Sequence, residues 1–175
     1  LWDSKRQNRR VGPDEHTTGN GLLGADPAAP EVIVAADGGM ALIYLPGAGA
    51  RALARRIVTA LTPHDYLSGI FVDDALGSID GTLPMSAIRL VGRAATPRPS
   101  IVVNLRSVST GCEVETNCSA MISNFAQQGQ GHHGGFGRAE TFNFMAAVGP
   151  SFKAGFVNTM PVGNMDVHPT IARIM

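Results

Sequence analysis

Apolar residues along this chain fall into short, separated patterns. The runs Val32-Ile33-Val34-Ala35-Ala36 and Ala41-Leu42-Ile43-Tyr44-Leu45 flank Asp37-Gly38-Gly39, and that arrangement predicts a tight β-hairpin. Over residues 48–61, Leu53, Ile57, Val58 and Leu61 recur at three- and four-residue steps while Arg51, Arg55 and Arg56 fall on the opposite side, which predicts an amphipathic helix. Residues 66–72 read as a strand, and 73–84 as a loop bent at Gly77, Gly81 and Pro84. Residues 86–91 and 101–105 read as further strands, separated by Pro97-Arg98-Pro99, where neither proline can donate to a ladder.

The flanking regions carry weaker patterns. Residues 1–31 start basic, with Lys5, Arg6, Arg9 and Arg10, and are then punctuated by Gly12-Pro13, Gly19-Asn20-Gly21 and Asp26-Pro27, as expected of a surface segment. Residues 107–135 are rich in Ser, Thr, Asn, Gln and Gly and lack periodicity, so they read as a long loop or as irregular structure around a site. Residues 144–148 read as a short buried strand ended by Gly149-Pro150. Asn164 and Asp166 mark a helix start, with Pro169 tolerated in the first turn and Ile171, Ile174 and Met175 as its inward face. The fold class that follows is α/β, within one domain's length of chain.

Length and charge then limit the function classes. With 175 residues, 44% hydrophobic and 16% charged, the chain can bury a core and does not have the composition of a disordered segment. Fourteen Lys+Arg balance fourteen Asp+Glu, which gives no electrostatic footprint for nucleic acid. No apolar run reaches the roughly 20 residues that a bilayer-spanning helix needs, so no transmembrane segment is expected. The chain opens Leu1-Trp2-Asp3, with no initiator Met and no signal segment, and its final helix is short. Both features lead us to expect a piece of a longer protein. Cys112 and Cys118 lie six apart in one polar loop, either as a disulfide or as two free thiols, so the compartment stays open.

Several residues invite a chemical reading. Gly131-His132-His133-Gly134-Gly135 puts imidazoles between glycines, where the backbone can turn sharply and approach a ligand, although exposed histidines with no such role fit the same pattern. Asp73, Asp74 and Asp80 are either a carboxylate cluster for a hard cation or turn-forming aspartates. Asp166 reads as a capping residue, and His16, His64 and His168 as surface residues. Arg138 is placed to grip a phosphate bidentately or to form a structural salt bridge. Gly47-Ala48-Gly49-Ala50-Arg51-Ala52 matches G-x-G-x-x-A between a strand and a helix, with Asp65 or Asp73 at the distance of a ribose-binding acid, which would suit a nucleotide- or dinucleotide-binding module.

Three ordered segments carry a resemblance to a known family. They are 131–138, containing Gly131-His132-His133-Gly134; 143–155, containing Gly149-Pro150; and 161–172, containing Asn164-Met165-Asp166-Val167-His168-Pro169-Thr170. Their order and spacing resemble the C-terminal end of the type I phosphodiesterase/nucleotide pyrophosphatase branch of the alkaline phosphatase superfamily. Residues 30–46 and 69–91, with Phe71-Val72-Asp73-Asp74 and Gly81-Thr82-Leu83-Pro84, look similar to bacterial members as well, so the likeness covers most of the chain.

The resemblance implies a partial alkaline phosphatase-like domain over 1–175, part of a three-layer α/β/α sandwich with an irregular β-rich insertion. About 64–110 would be that insertion, and 111–175 would return to the core sheet with the metal-ligand loop. It also implies a centre of two zinc ions, or of another divalent metal, acting on a small phosphate-ester or nucleotide substrate through a phospho-enzyme. The residue that matches the family's histidine ligand is His133, with His132 in the variable position. The chain has no nucleophile motif, no D-x-x-x-H and no Asp-His pair. The resemblance therefore places the nucleophile and the other ligands upstream, leaves one zinc ligand here, and implies that this chain alone is inactive. The localisation stays unknown, a periplasmic or secreted parent being one reading. A non-catalytic structural fragment is the remaining alternative.

Overall fold

The structure, a computed structural model, describes residues 1–3, 9–15, 20–92, 95–114, 119–122 and 133–175. It divides into two units, 1–142 and 143–175, each described by itself. Among the described residues, no helix is long and apolar enough to cross a membrane.

The first unit is mixed α/β, built on an eight-stranded sheet. Its strands in chain order are β1 (Trp2–Asp3), β2 (Arg9–Arg10), β3 (Gly21–Leu23), β4 (Val32–Asp37), β5 (Met40–Tyr44), β6 (Leu67–Val72), β7 (Leu83–Pro84) and β8 (Ile101–Leu105). They lie side by side as β2-β1-β3-β4-β5-β8-β6-β7. All pairs are antiparallel except β6 with β7. Stretch 64–110, expected from the resemblance as an insertion, supplies β6, β7 and β8 of this sheet.

The β4–β5 hairpin forms as expected, in the register Ile33↔Tyr44 through Asp37↔Met40. Between β5 and β6 runs α1 (Ala50–Leu61), and β8 slots between the two strands it joins. A 12-residue helix is marginal alone. Its apolar side stabilises it by burying Ala54 and Val58 against Val32, Ile43, Ile70, Val72, Ile101 and Val103, with Leu53, Ile57 and Leu61 half-buried beside them. Arg51, Arg55 and Arg56 face solvent, as the periodicity requires.

β8 is buried along its whole length because both faces of the sheet are covered there. Ile101 and Val103 meet α1, while Val102 joins Phe71 and Met85 on the other face, with Met40, Leu42, Ile88 and Phe136 packed around them. Alternate residues pointing to opposite faces make such a strand read as a continuous apolar run.

Several expectations need correction. Residues 1–31 are more than a surface segment, because β1 and β3 pair through Trp2↔Leu22, β3 pairs with β4, and the Trp2 indole N–H donates to Gly24 O at 3.1 Å. Residues 85–88 form a 3-10 helix rather than the start of a strand. Ser86 donates to Asp74 from both its backbone N, at 3.1 Å, and its hydroxyl, at 2.6 Å, and Arg89 closes the turn in the left-handed region at φ 56. Residues 107–135 include a second sheet, the antiparallel pair β9 (Ser107–Ser109) and β10 (Ser119–Met121).

A further correction lies in the second unit. No strand forms over 144–148, and Phe144 and Val148 are 92% and 97% exposed. The unit's regular structure is a 3-10 turn, Asn164–Asp166, followed by the helix Val167–Ile174, with Pro169 in the first turn as expected. Ile171, Ile174 and Met175 are exposed rather than inward. Thirty-three residues with two short helical pieces are too few to enclose a core, so the unit's large apolar side chains stay exposed.

Candidate functional site

Residues 133–137 cross the face of the sheet opposite α1, passing over the end of the β4–β5 hairpin. Glycine is required at 134: its φ is +90°, and a Cβ there would sit 3.0 Å from the Asp37 carbonyl oxygen and 3.2 Å from Asp37 Oδ2. At Gly135 a Cβ would overlap the Glu140 carboxylate. His133, directly before these glycines, is exposed. The loop ends in a reciprocal turn: Gly137 N donates to Glu140 Oε2 and Glu140 N donates to Gly137 O, both at 3.0 Å, which starts the short helix α2 (Arg138–Thr141).

The loop is attached to the sheet at Phe136. Its ring lies 5.7 Å from that of Phe71 at a tilt of 60°, a favourable aromatic geometry. Its backbone N–H donates to Asn104 Oδ1 at 2.7 Å. Asn104, in β8, is 4% exposed, and its Nδ2 donates to Ser68 Oγ at 2.7 Å and to Leu105 O at 3.2 Å. Asn104 belongs to none of the motifs legible in the sequence. Its only signal there is that of a lone amide at the end of the apolar run Ile101-Val102-Val103, since a buried amide needs partners.

The other residues singled out from the sequence are dispersed. The Asp73 carboxylate accepts from Ala75 N at 3.0 Å and lies 3.7 Å from Arg98 Nη2. Asp74 accepts both bonds from Ser86, and these hold its carboxyl below the ordinary carboxylate range. Asp80 lines a different cavity, of about 400 Å³, beside Arg55 and Thr59 of α1. The cation-cluster reading thus gives way to a turn-forming Asp73, an Asp74 bonded to Ser86, and an Asp80 that lines a cavity without either. Among the described residues, no group of three or more His, Cys, Asp or Glu is placed to hold a metal ion. An imidazole exposed on a glycine-bounded loop has the donor chemistry of one position in a tetrahedral zinc site, so His133 fits as one ligand and the described residues do not complete a site.

In the second unit, Asp166 Oδ2 accepts from Gly163 N at 2.7 Å, the capping role expected of it. Ser151 and Phe152 line one groove with Asp166, Pro169 and Thr170, so the second and third motifs of the resemblance adjoin. His64 stacks on Tyr66 with ring centroids 5.0 Å apart, and His168 is exposed on the helix Val167–Ile174. Cys112 is disulfide-bonded. His16, Gly131, His132, Cys118 and the Arg138 side chain lie outside the described residues.

Gly47 and Gly49 lead into α1, and a Cβ added at either would have no atom within 4 Å. The strand before them, β5, has antiparallel neighbours on both sides. A dinucleotide fingerprint instead follows a strand of a parallel βαβ unit, so this context does not favour the nucleotide-binding alternative. Comparison with protein-family models, with curated proteins and with solved structures finds no match to this chain.

Proposed function

We propose that this chain is the C-terminal portion of a zinc-dependent phosphoric ester hydrolase of the phosphodiesterase/nucleotide pyrophosphatase type. The whole domain would be an alkaline phosphatase-like three-layer sandwich with a β-rich insertion. Its substrate would be a small phosphate ester or nucleotide, and His133 would be the one zinc ligand supplied here. One observation carries the reading: in Gly131-His132-His133-Gly134, the glycine after the histidine is forced by its contact with Asp37, and the imidazole before it is exposed on a loop bonded to the sheet.

When bound, a zinc pair in such enzymes lowers the nucleophile's pKa and neutralises charge on the phosphoryl group. What this chain contributes is narrower. His133 would supply an imidazole ligand, and Gly134, Phe136 and Asn104 keep the backbone beneath it in place. The nucleophile and the other ligands belong to upstream sequence, so the 175-residue chain with added zinc should hydrolyse bis(p-nitrophenyl) phosphate no faster than background. A rate above background would refute this division of the site. Recovery and expression of the upstream coding sequence provides the positive test. In the longer protein, His133→Ala should lower bound zinc and cut diesterase activity by more than the roughly 10–100-fold typical of losing an outer partner. Unchanged zinc content and activity would refute the assignment.

A further inference from the structure

Asn104 is a costly choice for its position. A β-branched apolar residue would suit a strand buried on both faces, whereas an amide must find partners there. Three of its four side-chain hydrogen-bonding positions are used, and they fix the amide in one sense. The backbone N–H of Phe136 can only donate, so the oxygen must face the loop, and the nitrogen then faces two acceptors, Ser68 Oγ and Leu105 O.

Ser68 reaches Asn104 because it is the extra residue of a bulge: β6 pairs Leu67↔Leu105 and then Gly69↔Asn104, leaving Ser68 between them. Bulges re-aim side chains, and here the hydroxyl receives Asn104 Nδ2 while donating to Leu105 O at 3.1 Å. Next to it, a Cβ at Gly69 would come 3.2 Å from the Phe71 ring, and that ring packs on Phe136. Bulge, amide and ring therefore converge on the backbone three residues after His133.

We infer that Asn104 is the positioning residue for the His133 loop, with Ser68 fixing the orientation of its amide. The purpose of this positioning, presentation of a metal ligand, rests on the proposed function. The positioning itself does not.

The test is amide hydrogen exchange by NMR on the full chain, together with a titration of cobalt(II) chloride followed at the His133 Hε1 resonance. In Asn104→Leu, the Phe136 amide should exchange about tenfold faster or more, because its N–H is left without an acceptor, while β6 and β8 amides keep their protection. Asn104→Asp retains an acceptor oxygen and should restore most of the protection at Phe136. Ser68→Ala leaves the strand residues in place and should speed Phe136 exchange several-fold, so it serves if Asn104→Leu does not fold. Unchanged exchange at Phe136 in a folded Asn104→Leu, or in Ser68→Ala, would overturn the inference. Cobalt should perturb His133 in the wild-type chain and do so at higher concentration in the Asn104 variant. Equal midpoints in both would also overturn the inference. If cobalt leaves wild-type His133 untouched while Phe136 exchange responds as expected, the metal-ligand reading fails and the positioning role stands.

Discussion

Gly134→Ala is the most direct probe of how the His133 loop is held. At φ +90° any L side chain is strained, by about 1–2 kcal/mol for a left-handed conformation. The new methyl would also press on backbone, 3.0 Å from Asp37 O, and such overpacking costs about 1–3 kcal/mol. The loop can escape only by lifting off the sheet. That breaks the Phe136 N–Asn104 Oδ1 bond and strands a buried acceptor, at about 1–3 kcal/mol. Staying in place thus costs about 2–5 kcal/mol and lifting off about 1–3 kcal/mol, so the cheaper route limits the loss to roughly 3 kcal/mol or less. Two other glycines separate the terms. Gly49 has φ +83° and nothing within 4 Å of its Cβ position, so Gly49→Ala should cost about 1–2 kcal/mol from strain alone. Gly47 has equal space and no left-handed φ, so Gly47→Ala should be neutral or stabilise by up to about 1 kcal/mol. Urea denaturation of the three variants measures the series, and Phe136 amide exchange in Gly134→Ala detects a loop that lifts without global unfolding. If Gly134→Ala is no more disruptive than Gly49→Ala by both measures, the Asp37 contact does not hold the loop and the reasoning fails.

Other outcomes follow from the packing and the electrostatics. Ile101 is fully buried at the centre of the sheet, so Ile101→Ala should lose about 2–5 kcal/mol in urea denaturation, whereas Val108→Ala, at a position 51% exposed, should stay within about 0.5 kcal/mol. A similar loss at both positions would contradict the assignment of the core. Asp74 is held below the ordinary carboxylate range by Ser86, so its contribution to stability is present above that range and is lost as pH falls through the depressed folded value. Ser86→Ala should move the Asp74 midpoint up toward the ordinary value in carboxyl ¹³C NMR, and a midpoint that does not move would show that the Ser86 hydroxyl is not the main cause.

The hairpin, α1, β6 and β8 were legible because each carries a local residue pattern, whatever it later pairs with: an Asp-Gly-Gly turn between apolar runs, a helical period over 12 residues, and β-branched apolar runs. The error at residues 85–88 has a distant cause. Ser86 bonds to a carboxylate 12 residues earlier, and nothing local to Ser86-Ala87-Ile88 signals it. The same holds for β1 and β3, whose strands of two and three residues exist through their pairing with neighbours. An apolar run at 144–148 signals a preference for burial but not the presence of a surface to bury against.

The chemistry at the candidate site divides in the same way. The residue types alone defined His133 between glycines and the order of the three motifs, because donor chemistry and backbone freedom belong to individual residues. Only the tertiary structure joined residue 136 to residue 104, 32 positions apart, and residue 104 to residue 68, 36 apart. A hydrogen bond depends on distance in space, and distance along the chain carries no information about it once the sheet has closed.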